Sequence, residues 1–394
     1  MHKDSCSLEV EQNELREISL TFFPGTFKTF HHFTNRDVVW RRIARKCINT
    51  GLTRQGTDMY PQLPLKDRVK VSQHWRKGQC REEILLKWKT NLLPWMQLDG
   101  DVLYLSQAAD IGVYYLQGDQ GRLRRKPVLL HTGHSEDVCR FVLTDTHLIS
   151  AGGDGKIILH HRRNSFWVEC SGHNQEVNCI DSKGGVIVSG SRDRTARIWA
   201  LSSNRLGECL HTIQTFDRVW SVAISPSQST FATGTACCEN FAPLRIWDIE
   251  RCQMVSCLGS STCGYDTFIR YWDLRVTSRK CVMQWEEPHD SALYCIQTDG
   301  NHMIASGSSY YGVVRLWDKR QTSCLQTFYL SSATSSPVYC LRFNALPAVL
   351  CASYLCMHFR FQRTSAEGSE IIASAPLSAA RSPNCVQSNP RNTF

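Results

Sequence analysis

The stretch "SGHNQEVNCIDSKGGVIVSGSRDRTARIWAL", residues 171–201, decides the fold. It opens with Gly172-His173, and apolar and polar residues then alternate through Val177, Cys179 and Ile180. Gly184-Gly185 supply a turn, "VIVSGS" a second run, Asp193 a tight turn and "ARIW" a third run. Short runs of β-prone residues punctuated by turn residues read as an antiparallel meander. After Trp199 the segment "CLHTIQT" adds a fourth strand, so the unit is a small four-stranded sheet.

From about residue 95 onward the same unit recurs with a period near 40 residues. The Ser or Thr that begins the second turn falls at Ser106, Ser150, Ser189, Thr233, Thr262 and Ser306. An Asp follows four residues later at Asp110, Asp154, Asp193 and Asp266. The Trp position is kept at Trp199, Trp247, Trp272 and Trp317, and is taken by Leu116 and His160 in the two N-terminal units. A weaker unit starts at "SSPVYCLRF" and runs on through "VLCASYLCMHF". Gly-His near the start and Trp-Asp near the end resemble the WD-repeat family of β-propellers. That resemblance implies an all-β ring with a seven-bladed plan. It also implies a buried structural network of His173, Ser189, Asp193 and Trp199, which pins the turns of a blade too small to bury much alone.

One spacing breaks the pattern. From the Trp position to the next Ser or Thr anchor the chain takes 34, 29, 34 and 34 residues elsewhere, but only 15 from Trp247 to Thr262. About 14 to 19 residues are missing, enough for an interblade loop, the innermost strand and most of the second strand. The expectation is a truncated fifth blade, with an unpaired edge or gap near residues 259–262 and lowered thermal stability. In the other units Cys179, Cys295 and Cys340 stand two residues after the first-strand anchor, and Ser221 holds the same slot after Val219. A small side chain is needed there, where inner strands crowd together.

Before the repeats, "TNRDVVWRRIARKCINT" (34–50) reads as a helix with Asn35 or Asp37 at its start and an uneven apolar face of Val38, Val39, Trp40, Ile43 and Ile48. A second helical stretch covers 66–83, and "ILLKWK" (84–89) looks like a lone strand of the kind that closes a propeller by pairing with its last blade. The combination of "FTNRDVVWRRIARK", a helical linker carrying "RVKVSQHWRKGQCREEILLKWK" and WD repeats resembles F-box/WD-repeat proteins. The resemblance divides the chain into a divergent segment (1–33), an F-box remnant helix (34–50), a helical linker (51–81), the WD-repeat propeller (82–360) and a disordered tail (361–394). Residues 1–32 lack the Leu-Pro helix start of an F-box, so the F-box is incomplete.

What this family does is recognise substrates for an SCF ubiquitin ligase. The resemblance implies docking on Skp1 and cullin through Val38, Trp40 and Ile43, and capture of target proteins, phosphorylated ones among them, on the propeller face. Related propellers grip phosphate with arginines near the channel, because a guanidinium fork matches a phosphate. Arg192 matches one such position, whereas the others hold Cys139, Asn178, Trp220, Tyr294 and Tyr339. The candidate substrate-binding residues are therefore Arg192, Trp220, Tyr294 and Tyr339. Arg197, Arg245, Arg270 and Arg315, each two residues before the Trp position, read as blade packing. The alternative function is a non-catalytic WD-repeat scaffold that holds protein complexes without recruiting a ligase.

Composition narrows the remaining classes. With 394 residues, 42% hydrophobic and 21% charged, the chain is an ordinary globular sequence. Its 19 cysteines form no Cys-x-x-Cys pair, which argues against zinc and a disulfide scaffold and fits a cytoplasmic or nuclear location. The start "MHKDSCSLEV" has no apolar core for a secretory signal, and no run of 18 apolar residues occurs, so no membrane span is expected. The net charge of +9 lies in scattered clusters without interleaved aromatics, which disfavours nucleic acid as a partner. No phosphate loop, nucleophile elbow or metal-spaced cluster is present, so the expectation is a binding protein with no cofactor and no active site of its own.

Overall fold

The computed structural model describes residues 36–53, 56–87, 93–117, 122–123, 126–202, 204–235, 243–258, 267–273, 281–287, 292–309, 312–329, 337–343, 347–352 and 355–360. Two helices come first, α1 (Asp37–Lys46) and α2 (Leu65–Lys77). Both are shorter than their apolar periodicity predicts. The second stops because Gly78 takes a left-handed cap conformation (φ +65°), with its N–H bonded to the Trp75 carbonyl and that of Gln79 to His74. Arg36, not an Asn or Asp side chain, precedes α1, while Asp37 accepts the Leu65 N–H at 2.9 Å and so ties the start of one helix to that of the other. Asn35 lies outside the described residues.

Strand β1 (Arg81–Lys87) follows. The first repeat forms β2 (Met96–Asp99), β3 (Val102–Gln107), β4 (Asp110–Gln117), β5 (Arg122–Leu123) and β6 (Leu129–His131), a five-stranded sheet in which β5 and β6 both pair with β4. The second repeat forms β7 (Val138–Leu143), β8 (His147–Gly152), β9 (Ile157–His161) and β10 (Trp167–Cys170). The third forms β11 (Val177–Lys183), β12 (Val186–Ser191), β13 (Thr195–Ala200) and β14 (Cys209–Gln214). The fourth forms β15 (Val219–Ile224), β16 (Thr230–Thr235), β17 (Leu244–Asp248) and β18 (Met254–Leu258). Among the described residues only β19 (Phe268–Tyr271) and β20 (Met283–Glu286) represent the fifth. Then come β21 (Leu293–Thr298), β22 (Met303–Ser308), β23 (Val313–Asp318) and β24 (Cys324–Tyr329), and finally β25 (Val338–Phe343), β26 (Pro347–Ala352) and β27 (Leu355–Arg360).

Each sheet is an antiparallel meander in sequence order. Besides the first, where β5 and β6 share β4, the last is an exception, in the order β1-β27-β26-β25: the N-terminal strand lies along β27 with Arg81 opposite Arg360 and Lys87 opposite Leu355. The ends of the ring are thereby joined by backbone hydrogen bonds, which removes a free sheet edge.

The seven-bladed plan needs correcting. Among the described residues five sheets have the four-stranded form of a blade, not seven. The first repeat departs because its outer strand is split between β5 and β6. The fifth departs because the chain between Leu258 and Phe268 is too short to supply two further strands. The unpaired edge expected near 259–262 lies outside the described residues, as do residues 1–35 and 361–394.

The helices are docked rather than tethered. Ile48, Val71 and Trp75 share a core cluster with Met303, Leu316, Phe328, Val338 and Phe343 of the sixth and last sheets. Trp75 meets Phe328 and Phe343 edge to face, at 6.3 and 5.7 Å between centroids. The Asn49 N–H donates to Asp299, Arg320 donates to the Lys46 carbonyl at 2.9 Å, and the buried Arg68 grips Asp58 with two bonds of 2.7 and 2.8 Å.

Candidate functional site

Within the third sheet the His173 Nδ1 lies 2.9 Å from Asp193 Oδ2, and Nε2 lies 2.7 Å from Ser189 Oγ. Trp199 Nε1 donates to the same Oγ at 2.9 Å. The chain His173, Ser189, Asp193 and Trp199 is thus connected, and its turns are further held by Thr195 and Asn174, which donate to Asp193. Burial works to raise the Asp193 carboxyl, but hydrogen bonds from His173 and Thr195 outweigh it and hold it far below its usual range. Burial likewise keeps His173 below its ordinary value, against the pull of Asp193. The His173 and Asp193 side chains are almost closed off from solvent, so the network ties the turns of the sheet together.

A second such network was not read from the sequence. In the second sheet His134 bridges Asp154 (3.0 Å) and Ser150 (2.9 Å). The signal was present, since Gly133-His134 stands 16 residues before Ser150 just as Gly172-His173 does before Ser189. The loss of Trp at position 160 concealed it. Trp247 and Trp317 keep the Trp half of the motif, donating to Thr233 and Ser306 at 2.9 Å.

The five residues that follow the first-strand anchor share one backbone feature. The ladder skips a residue between Val138 and Arg140, Val177 and Cys179, Val219 and Ser221, Leu293 and Cys295, and Val338 and Cys340. Cys139, Asn178, Trp220, Tyr294 and Tyr339 are therefore bulge residues, re-aimed out of the regular pleat at the same height on each inner strand. Tyr294 and Tyr339 stack, 5.5 Å apart and 14° from parallel. Trp220 is half exposed, with Arg218 at 5.7 Å from its ring. Arg192 reaches Glu176 at 3.7 Å, both side chains open to water, and Glu176 also accepts from Cys139 Sγ at 3.4 Å. Burial, and then the Glu176 charge, push the Cys139 thiol well above its ordinary value, which disfavours the thiolate. The rim thus has an aromatic arc on the fourth, sixth and last sheets and a mixed-charge arc around Arg192 and Glu176. Glu176 and Arg218 are the members that sequence reading missed, for nothing in their spacing marks them.

Other positions turn inward. Arg245 and Arg315 are buried; Arg245 lies 4.5 Å over the Phe216 ring and Arg315 donates to Glu287 at 2.6 Å. Of the residues expected to face the adaptor, Val38 is 84% exposed, whereas Trp40 and Ile43 pack against Ala44, Leu52, Leu65 and Val69 between the helices. Among the described residues no group of three or more His, Cys, Asp or Glu is placed to hold a metal, and no helix is long and apolar enough to cross a membrane.

Meander blades with Gly-His, Ser or Thr, Asp and Trp in hydrogen-bonded register define a WD-repeat propeller protein. The family model described as WD domain, G-beta repeat matches residues 165–200, 207–240 and 279–318. The chain belongs to the F-box/WD-repeat family. It is 58% identical over 342 residues to F-box/WD repeat-containing protein 4 (dactylin) of Homo sapiens, an alignment covering 82% of this chain and 83% of that protein. The Mus musculus protein of the same name is 57% identical over the same span. Cell division control protein 4 of Candida albicans is 37% identical over 81 residues, 20% of this chain and 11% of its own length.

Proposed function

We propose that this protein is the substrate-recognition subunit of an SCF ubiquitin ligase, presenting target proteins on the propeller rim for ubiquitination by partner enzymes and degradation by the proteasome. The observation that carries the reading is the 58% identity, across 82% of the chain, to F-box/WD repeat-containing protein 4. In this reading residues 34–50 are the F-box remnant that meets Skp1, and through it cullin; 51–81 are the linker; 82–360 are the propeller. Arg192, Trp220, Tyr294 and Tyr339 contact the target, Val38 leads the adaptor contact, and the protein works in cytoplasm or nucleus without an active site of its own. The docking of α2 and of Ile48, just after α1, against the sixth and last sheets supports it, because a receptor must hold its substrate at a set distance from the transfer machinery.

One observation favours the scaffold reading instead: Trp40 and Ile43 are spent on the helix pair, which leaves Val38 as the exposed apolar residue of that set. Co-purification decides between them. Skp1 and cullin retained by the full chain, below stoichiometry because the F-box is incomplete and lost in Val38→Asp, is the expected result of the ligase reading. A propeller that captures partners while Skp1 stays in the flow-through would establish the scaffold.

A further inference from the structure

We propose that residues 18–33 fold back as a β-hairpin and supply the two inner strands that the fifth unit lacks. The place for them is open on both sides. At a complete interface, the residue two after the inner-strand anchor faces the next sheet: Cys179 is fully buried and clusters with Val219 and Val222 of the fourth. The residue three after the anchor faces the preceding sheet: Ile180 is 1% exposed and clusters with Ile149 and Ala151 of the second. On either side of the fifth unit this packing is missing. Ser221 of β15 holds the forward-facing slot and Ala223 shares its face, and both are exposed. Ile296 of β21 holds the backward-facing slot and is 55% exposed, whereas its counterparts Phe141, Ile180, Val222 and Leu341 are buried.

Between these walls, β19 pairs with β20 along one edge and, among the described residues, with no strand along the other. Ile269 and Trp285 hold the hairpin on the sixth sheet. The other edge of β19 is a template for a further strand.

Length, pattern and tether point to one occupant. The shortage in the fifth unit is about 14 to 19 residues, and the segment 18–33 has 16. Residues 18–33 lie outside the described residues, and their sequence carries two β-prone runs, "ISLTFF" (18–23) and "TFKTFHHF" (26–33), around a Pro24-Gly25 turn signal. Lys28 is the sole Asp, Glu, Lys or Arg of the segment, so it enters an apolar cleft at little electrostatic cost. Complete interfaces set large backward-facing residues against small forward-facing ones. Ile18, Leu20 and Phe22 accordingly suit the small wall of Ser221 and Ala223, and Ser19 and Thr21 suit the wall of Ile296. Arg320, beside the sixth sheet, holds the carbonyl of Lys46 at the end of α1. That helix is ten residues long and so spans ~15 Å, and each residue before it adds up to ~3.3 Å of reach towards the neighbouring fifth position. Docking is therefore intramolecular, an advantage that a second copy or a free partner does not have.

The inference is separate from the proposed ligase role, and its failure leaves the Skp1 experiment untouched. Hydrogen–deuterium exchange on the full chain tests it. Amides of residues 18–33 should exchange about 100-fold or more slowly than in a free peptide of the same sequence, with β19 protected alongside. Leu20→Asp in the segment and Ile296→Asp in the wall should each return residues 18–33 to the peptide rate, while Val38→Asp on α1 leaves them protected. Exchange at the peptide rate in the unaltered protein overturns the proposal. Protection that appears only as protein concentration rises assigns the place to a second copy and overturns it too, as does protection that Ile296→Asp leaves intact. Should Ile296→Asp fail to fold, Leu20→Asp and the unaltered protein decide.

Discussion

At Ser189 a single hydroxyl serves two ring nitrogens, His173 Nε2 and Trp199 Nε1, in a setting with no solvent access. Ser189→Ala leaves both without that partner, and a buried unsatisfied polar group costs about 1–3 kcal/mol. Urea denaturation should show a loss of at least about 2 kcal/mol, larger than for either ring nitrogen alone. His160 is a separate case. It stands in the Trp position of the second sheet, packed 4.9 Å from His131, and burial takes its pKa down to about 4, with the charges of His131 and His134 adding. Its folded pKa lies below the unfolded value near 6.5, so the unfolded chain takes up the proton first. Stability is then full above about pH 6.5 and declines as pH falls towards 4, by at most about 3 kcal/mol. His160→Phe should flatten that slope in melts run from pH 7 to 4. The Asp193 contribution, lost only as pH falls below the ordinary carboxylate range, should survive in the variant. The clamp at His173 was legible because its residue types and spacing recur. The histidine pair was not, because His131 on β6 and His160 on β9 belong to different sheets and meet only in the folded chain.

The fifth repeat shows how a fragment of a blade is retained. Trp285 on β20 is 1% exposed, donates to the Gln321 carbonyl at 2.8 Å, and shares a core cluster with Ile269, Ile304 and Trp317. Glu287, at the end of that strand, pairs with the buried Arg315. The hairpin β19–β20 is therefore fastened to the sixth sheet. Trp285→Ala should cost about 3–5 kcal/mol and raise amide exchange in β19 and β20 before the four-stranded sheets respond. Equal protection of those amides in both proteins would count against this attachment. The shortening was readable from 15 residues where about 30 were needed, but which neighbour holds the remnant depended on a tryptophan outside the repeat signature. A similar logic explains the small-residue slot. Cys179, Ser221 and Cys295 face Gly190, Gly234 and Gly307, where an added Cβ would come within 2.7, 2.3 and 2.6 Å of the slot atoms. The crowding is mutual, and sequence showed only one side of it.

For the whole molecule, closure is the controlling feature. Strand β1 is distant in sequence from β27 yet completes its sheet, and the second helix ahead of it, with Ile48, lies on the sixth and last sheets. Deleting residues 36–87 should thus do more than remove a module: it should expose an edge and replace one cooperative melt by a broad, aggregation-prone transition. A truncated chain that melts as sharply as the full one would show that the ring closes without β1. Sequence by itself determined the repeat, the clamp residues, the family, the closing strand and the shortage of chain in the fifth unit, because each is a local pattern of residue type and spacing. Tertiary structure decided how many blades are complete, which way Trp40 and Ile43 face, and that five bulge residues gather on one rim. Those outcomes depend on contacts between strands far apart in the chain, and a spacing rule carries no information about which side chains will share a ring.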